Sequence, residues 1–205
     1  GLEKYLYLCD ESYILQLNFK MNNFQELIRN RRSTRKFTTQ LLTPEQVELI
    51  LKAALMSPSS KSKTPWQFIV VEDKDMLRSL AGCKPQGAAF LEGCALAVIV
   101  LADVMQSDVW VEDASVASIY MQLQAEDLGL GSCWCQIRNR QTENDADSAQ
   151  YIRDLFNVPY QLEVLSIIGF GYKDQVRKPF DESRLQWEKI HLGTFNLPED
   201  NKIEE

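Results

Sequence analysis

Histidine is nearly absent from this chain: His191 is the only one in 205 residues, and it lies in a polar C-terminal stretch. A Ser-His-Asp or Cys-His apparatus would have to rest on that one side chain, which leaves little ground for nucleophilic hydrolysis. Metal and nucleotide signatures are missing too. No HExxH, EF-hand loop or GxxxxGK[ST] occurs. The GxG of Gly129 and Gly131 has no third glycine and falls between a helical and a strand pattern, the reverse of a dinucleotide fold. The longest apolar run, ALAVIVLA at 95–102, is too short to span a bilayer, and the opening residues lack the order of a secretory signal. Nor is there an excess of positive charge. The net charge of -7 weighs against a nucleic-acid or membrane-surface partner.

Cysteines number five, Cys9, Cys83, Cys94, Cys133 and Cys135, an odd count without the spacing of a disulfide framework. The expectation is a reducing, cytoplasmic setting. Cys133 and Cys135 are one residue apart, which is not a CxxC, and they read as buried strand cysteines. If the chain is an enzyme, a bound cofactor rather than a side-chain nucleophile carries the chemistry.

What is present supports one domain with a real core, at 45% hydrophobic and 25% charged residues. Gly1 stands where Met would, and Met21 opens a stretch that reads as a natural start, so residues 1–21 are expected to be an N-terminal extension. Asn23 and Glu26 fit a capping box for a short helix over 23–32. LTPEQVELILKAALMSP predicts a second helix, with Thr43 as cap, Pro44 in the first turn and Pro58 as stop. WQFIVVE at 66–72 and ALAVIVLAD at 95–103 read as strands, the latter covered on both faces. A long central helix over 109–129 carries small residues at Ala114, Ser115, Ala117 and Ser118, where another element can come close. SCWCQI and EVLSIIGFG read as two further strands, with a helix at about 146–156 between them. This is an α+β domain with one sheet. From 178 onward a polar stretch with scattered aromatics reads as an arm, with Phe180, Leu185, Trp187, Ile190 and Phe195 to bury on its own domain or a neighbouring subunit.

In this acidic chain, RNRRSTRKF at 29–37 holds five cations in nine positions. A solvated helix end would account for Arg29, Arg31 and Arg32 but not for Arg35 and Lys36. The alternative is an anion site, since arginine forks, the Ser33 hydroxyl and free backbone N–H groups can surround one phosphate. Each charge-assisted bond would be worth about 1.5–3 kcal/mol.

Four stretches, RRSTRKF, SPSSKSKTPWQFIVVED, EDASVASIYMQLQAEDLGLGSCWCQI and IIGFGYKDQVRKP, resemble in order and spacing the FMN-dependent nitroreductase family, over roughly residues 22–180. The resemblance implies an α+β fold with a central mixed or antiparallel sheet flanked by helices, and a homodimer with FMN at the subunit interface. It also implies an arm over 181–205 that embraces the partner, and NAD(P)H as reductant. Arg31, Arg32, Ser33 and Arg35 match the opening FMN motif, with Arg31 and Ser33 toward the phosphate and ribityl end and Arg35 near the N1/O2 edge of the ring. A fixed positive charge there suits the reduced flavin, whose negative charge sits at N1. Pro58, Ser59, Ser60 and Ser62 match the loop that packs on the partner's flavin, although the family commonly has Asn at the position of Ser62 and often Gln at that of Thr64. Trp134, Cys135, Gln136 and Ile137 match the segment along the ring, where a backbone N–H approaches N5; for Trp134 and Cys135 an ordinary core role is an equal reading. Gly171, Arg177 and Lys178 match the late segment that returns to the phosphate.

The activity so implied is reduction of nitroaromatics, quinones or similar acceptors by a ping-pong mechanism, with flavin N5 carrying the hydride and no metal. Other flavin chemistry on the same fold, reductive dehalogenation or flavin cleavage, is the alternative; the short run at 103–112 favours an open site. A non-catalytic phosphate- or nucleic-acid-binding protein built around RNRRSTRK is the alternative from another class.

Overall fold

The computed structural model describes residues 24–195; the expected extension over 1–21, the Asn23 cap, Cys9 and the end of the arm from 196 lie outside the described residues. Strands β1 (Trp66–Val71), β2 (Leu96–Asp103), β3 (Leu130–Gln136) and β4 (Leu162–Tyr172) form one sheet in the order β1-β2-β4-β3. All pairings between named strands are antiparallel, which narrows the expected mixed or antiparallel sheet to the second kind.

Strand β2 explains the layers. Its side chains alternate, so Ala97, Ile99 and Leu101 enter one core and Leu96, Val98, Val100 and Ala102 enter the other. The first core lies under helix α3 (Lys74–Ala81) and helix α5 (Ser148–Phe156), with Leu77, Leu80 and Ile152 fully buried. The second lies under α2 (Pro44–Leu55) and α4 (Trp110–Asp127), through Ile50, Ala54, Ala114, Met121 and Ala125. Burial on both faces is why β2 is apolar throughout. Three of the four small residues of α4 do what the sequence predicts: Ala114, Ala117 and Ser118 are fully buried where the helix meets α2 and the sheet, while Ser115 is half-buried.

Helix α2 starts as expected, on a reciprocal capping box. The Gln46 N–H donates to Thr43 Oγ1 at 3.3 Å and the Thr43 N–H donates to Gln46 Oε1 at 3.0 Å. Helix α3 is an addition to the sequence reading; Asp73 caps it by accepting from the N–H groups of Asp75 and Met76.

Residues Asn30–Pro179 form one compact unit; among the described residues, 24–29 and 180–195 belong to a second. In the second unit the Phe180 N–H donates to the Arg29 carbonyl at 2.8 Å, and Arg29 pairs with Glu182 at 3.3 Å. Helix α1 (Phe24–Asn30) buries none of its residues. The arm carries two short 3-10 turns, Glu182–Arg184 and Trp187–Lys189, and leaves Phe180, Leu185, Trp187, Ile190 and Phe195, all expected to be buried, exposed. Among the described residues, no helix is long and apolar enough to cross a membrane.

Candidate functional site

Strand β3 is an edge strand, and the arginine-rich segment lies along its outer side. Ser33 makes a parallel bridge with Ser132, and the Thr34 N–H donates to the Ser132 carbonyl at 2.9 Å. Further on, the Thr38 N–H donates to Tyr172 and the Asp174 N–H to Lys36. The motif is therefore an extended ribbon and not the end of a helix: α1 stops at Asn30, so Arg31 and Arg32 lie beyond it. Two glycines seat the ribbon. Gly131 and Gly171 pair across β3 and β4, and a Cβ on them would come within 2.7 Å of Thr34 and 2.8 Å of Phe37, respectively. Gly171, expected only as part of a segment returning to the phosphate, makes room for Phe37.

Side chains of an extended segment alternate, and here they divide the cations between two places. On one side Arg35, Ser33 and Arg31 act on the Cys133 thiol: burial pushes its pKa up, and the Arg35 charge, the Ser33 hydrogen bond and the Arg31 charge draw it back. Arg32 and Thr34 line a cavity of about 320 Å³ together with Arg177, Lys173 and Glu126. Lys173 Nζ is 2.6 Å from Glu126 Oε1, with both side chains largely buried, so its charge is balanced within the wall. Arg177 and Arg32 line the same cavity, whereas Arg31 and Ser33 are not in that lining. Lys178 is exposed and outside it as well.

The Ser-rich loop is held at its base and open at its tip. Asp113, in the first turn of α4, is buried; its Oδ1 accepts the Ser60 N–H at 2.7 Å and its Oδ2 the Ser107 hydroxyl at 2.8 Å. Ser59 Oγ accepts the Thr64 N–H at 2.9 Å. Lys61, Ser62 and Thr64 have φ of 51°, 53° and 46°, left-handed values that non-glycine residues rarely adopt. Pro58 and residues 61–64 are exposed, and Ser59 and Ser60 are half-buried. The part played by Asp113 is missing from the sequence reading, which singles out its small neighbours instead.

At the far end of β3, Cys135 and Ile137 are fully buried, so only their backbone is available to a ligand. Trp134 and Gln136 are half-buried; the Trp134 Nε1–H donates to Gln136 Oε1 at 3.0 Å, and Gln136 Nε2 donates to the Arg138 carbonyl at 2.9 Å. The Arg138 guanidinium lies 5.6 Å from the centre of the Trp110 ring, a cation–π pair outside the expected site residues. Taken together, the ribbon and the cavity offer mainly hydrogen-bond donors along one sheet edge, a set suited to a phosphate monoester.

The sequence profile of the nitroreductase family matches residues 28–86 and 85–172. Among solved structures, an FMN-dependent nitroreductase of Clostridium difficile R20291 is 44% identical, with a TM-score of 0.80, over 82% of this chain and 98% of that one. A protein of Archaeoglobus fulgidus provisionally named NADH dehydrogenase/NAD(P)H nitroreductase is 34% identical over 178 residues, 83% of this chain and 98% of its own. The FMN reductase (NADPH) of Bacillus subtilis strain 168 is 30% identical over 207 residues, 88% of this chain and 78% of its own. The matched residues include the arginine ribbon, strand β3 and both glycines that seat the ribbon, and the chain belongs to the nitroreductase family.

Proposed function

We propose that this chain is a cytoplasmic, homodimeric oxidoreductase that uses NAD(P)H and FMN to reduce nitroaromatics, quinones or similar acceptors. The observation that carries this reading is the ribbon of Arg31, Arg32, Ser33 and Arg35 fastened to the free edge of β3, with Arg177 arriving at the same ribbon. FMN held there would supply the two-electron redox chemistry that links the nicotinamide to the acceptor. The chain's own part is to bind and orient. Arg31 and Ser33 would hold the phosphate and ribityl end from one side of the ribbon, with Arg177 reaching the phosphate from the cavity that it lines with Arg32 on the other; Arg35 would place a positive charge at the N1/O2 edge, and the main chain of 134–137 would lie along the ring. No side chain is required to move the hydride.

The exposed tip of the Ser-rich loop, with Pro58 and Ser62, is what a second copy's flavin would meet in a dimer. Leu49 and Leu55 on α2 and Ile119 and Tyr120 on α4 are exposed apolar side chains for such a partner to cover. Only residues 104–109 separate β2 from α4, too few to form a lid, which supports an open acceptor site over a dehalogenase-like closed one. The reading is tested by initial rates with both substrates varied. Parallel double-reciprocal lines are expected, because donor and acceptor use one site in turn; intersecting lines contradict the shared site.

A further inference from the structure

Strand β3 has β4 on one side only, and the backbone groups on its other side can be assigned residue by residue. In an antiparallel ladder the N–H and C=O of one residue point the same way, and successive residues alternate. The Ser132 carbonyl accepts the Thr34 N–H, so Ser132 faces away from β4, and Trp134 and Gln136 face away with it. Cys133 and Cys135 face β4, as does the Ile137 N–H, which donates to the Leu165 carbonyl at 3.2 Å. The N–H groups that this edge offers to a flavin ring are therefore those of Trp134 and Gln136.

The carbonyl of Gln136, on that same side, is held by a cation that the sequence reading passed over: Lys84 Nζ donates to it at 3.0 Å. Lys84 is half-buried, and among the described residues no carboxylate pairs with it. The turn that carries it follows α3 and is fastened from behind. Cys83 is fully buried, and Ser148 Oγ, buried at the start of α5, donates to the Cys83 carbonyl at 2.7 Å. The main chain is thus pinned to α5 at one residue while the next side chain reaches to the edge of β3.

We propose that Lys84 is a positioning residue for the flavin reaction: it holds the Gln136 carbonyl, and so the end of β3, in one orientation along the ring and keeps a positive charge beside it. The inference rests on the FMN reading given above. Two effects follow. With its carbonyl held, Gln136 keeps its N–H in a fixed direction toward the ring, and a donor placed in advance costs no reorganisation during the reaction. The ammonium also adds to Arg35 a second fixed cation, and in a half-buried place such a charge favours the anionic reduced flavin more strongly than it would in water.

The test compares Lys84→Met, which keeps the aliphatic stem and loses the ammonium, with Lys84→Arg, both as FMN-loaded full-length protein without oxygen. Lys84→Met is expected to retain FMN, to be reduced by saturating NAD(P)H about tenfold more slowly, the low end for a charge-assisted hydrogen bond, and to have a potential lower by about 30 mV, a tenfold shift for two electrons. Lys84→Arg should recover part of both. A lysine that only braces the turn would lower the denaturant midpoint and leave the potential unmoved; that result overturns the proposal, as does loss of FMN from Lys84→Met, or a Lys84→Arg protein no better than Lys84→Met. A second measurement needs no variant. In the unsubstituted protein, FMN should slow hydrogen exchange at the Trp134 and Gln136 amides and leave that of Cys135, already in the ladder, as it was; no slowing at Gln136 overturns the proposal. If the unsubstituted protein binds no FMN at all, the reading beneath the proposal fails and takes it along.

Discussion

Gly131 and Gly171 face each other across β3 and β4, and the space each leaves is taken by a side chain of the arginine ribbon, Thr34 at one and Phe37 at the other. Gly171→Ala places a Cβ within 2.8 Å of the Phe37 ring, so Phe37 must move and the ribbon with it. Overpacking of this kind costs about 1–3 kcal/mol. A lower denaturant midpoint accompanied by weaker FMN binding is the expected result; unchanged values for both contradict the seating role.

Arg31 and Arg177 lie on different sides of the ribbon, Arg177 in the cavity lined with Arg32, and the proposed phosphate is held from both. Replacing Arg31 and Arg177 together by Ala should release FMN, and each substitution alone should weaken it by roughly one to two decades in Kd, from the 1.5–3 kcal/mol of a charge-assisted bond. Lys178→Ala should change it less, because Lys178 is exposed and outside the cavity wall. Flavin occupancy measured after gel filtration decides this, and full occupancy in the double variant refutes the phosphate assignment.

Arg35 is assigned to the N1/O2 edge, where its charge favours the reduced, negatively charged flavin. Arg35→Gln should lower the two-electron midpoint potential, by about 30 mV for each 1.4 kcal/mol of lost stabilisation. Arg35→Lys should recover part of it. A potential unmoved in Arg35→Gln contradicts the placement.

The sequence made much of the framework legible, for identifiable reasons. Thr43, Pro44 and Gln46 mark a helix start by local hydrogen bonds alone, and continuous apolarity at 95–102 leaves a doubly covered strand as the natural reading. Helix α3 is short, with only Met76, Leu77, Leu80 and Ala81 apolar, so its period is weak and its Asp73 cap and Gly82 stop are easily passed over. The division of the arginines was out of reach for another reason. Alternation decides which cation faces which side only once 31–37 is known to be extended, and that follows from pairing with Ser132, nearly a hundred residues away. Asp113 was hidden likewise, since its partners Ser60 and Ser107 are brought to it by the tertiary fold.

Ser62 holds a left-handed backbone, with φ of 53°, that Asn tolerates better. Ser62→Asn should stabilise the protein by about 0.5–1 kcal/mol, seen as a rise of roughly 1–4 °C in Tm. A fall in Tm contradicts the assignment of strain to this residue.

Asp113→Ala removes the acceptor of both the Ser60 N–H and the Ser107 hydroxyl. Leaving such buried donors unpaired costs about 1–3 kcal/mol each. The expected outcome is a lower denaturant midpoint and faster proteolysis within 57–65; a loop as resistant as before shows that Asp113 is not its anchor.

The most direct measurement is the visible absorption spectrum of the purified protein, taken under nitrogen before and after addition of NADH or NADPH. The account predicts a flavin band, present on purification or restored by added FMN, that one of the two nucleotides bleaches. A protein that shows no such band after reconstitution with FMN, or whose band neither nucleotide bleaches, contradicts it.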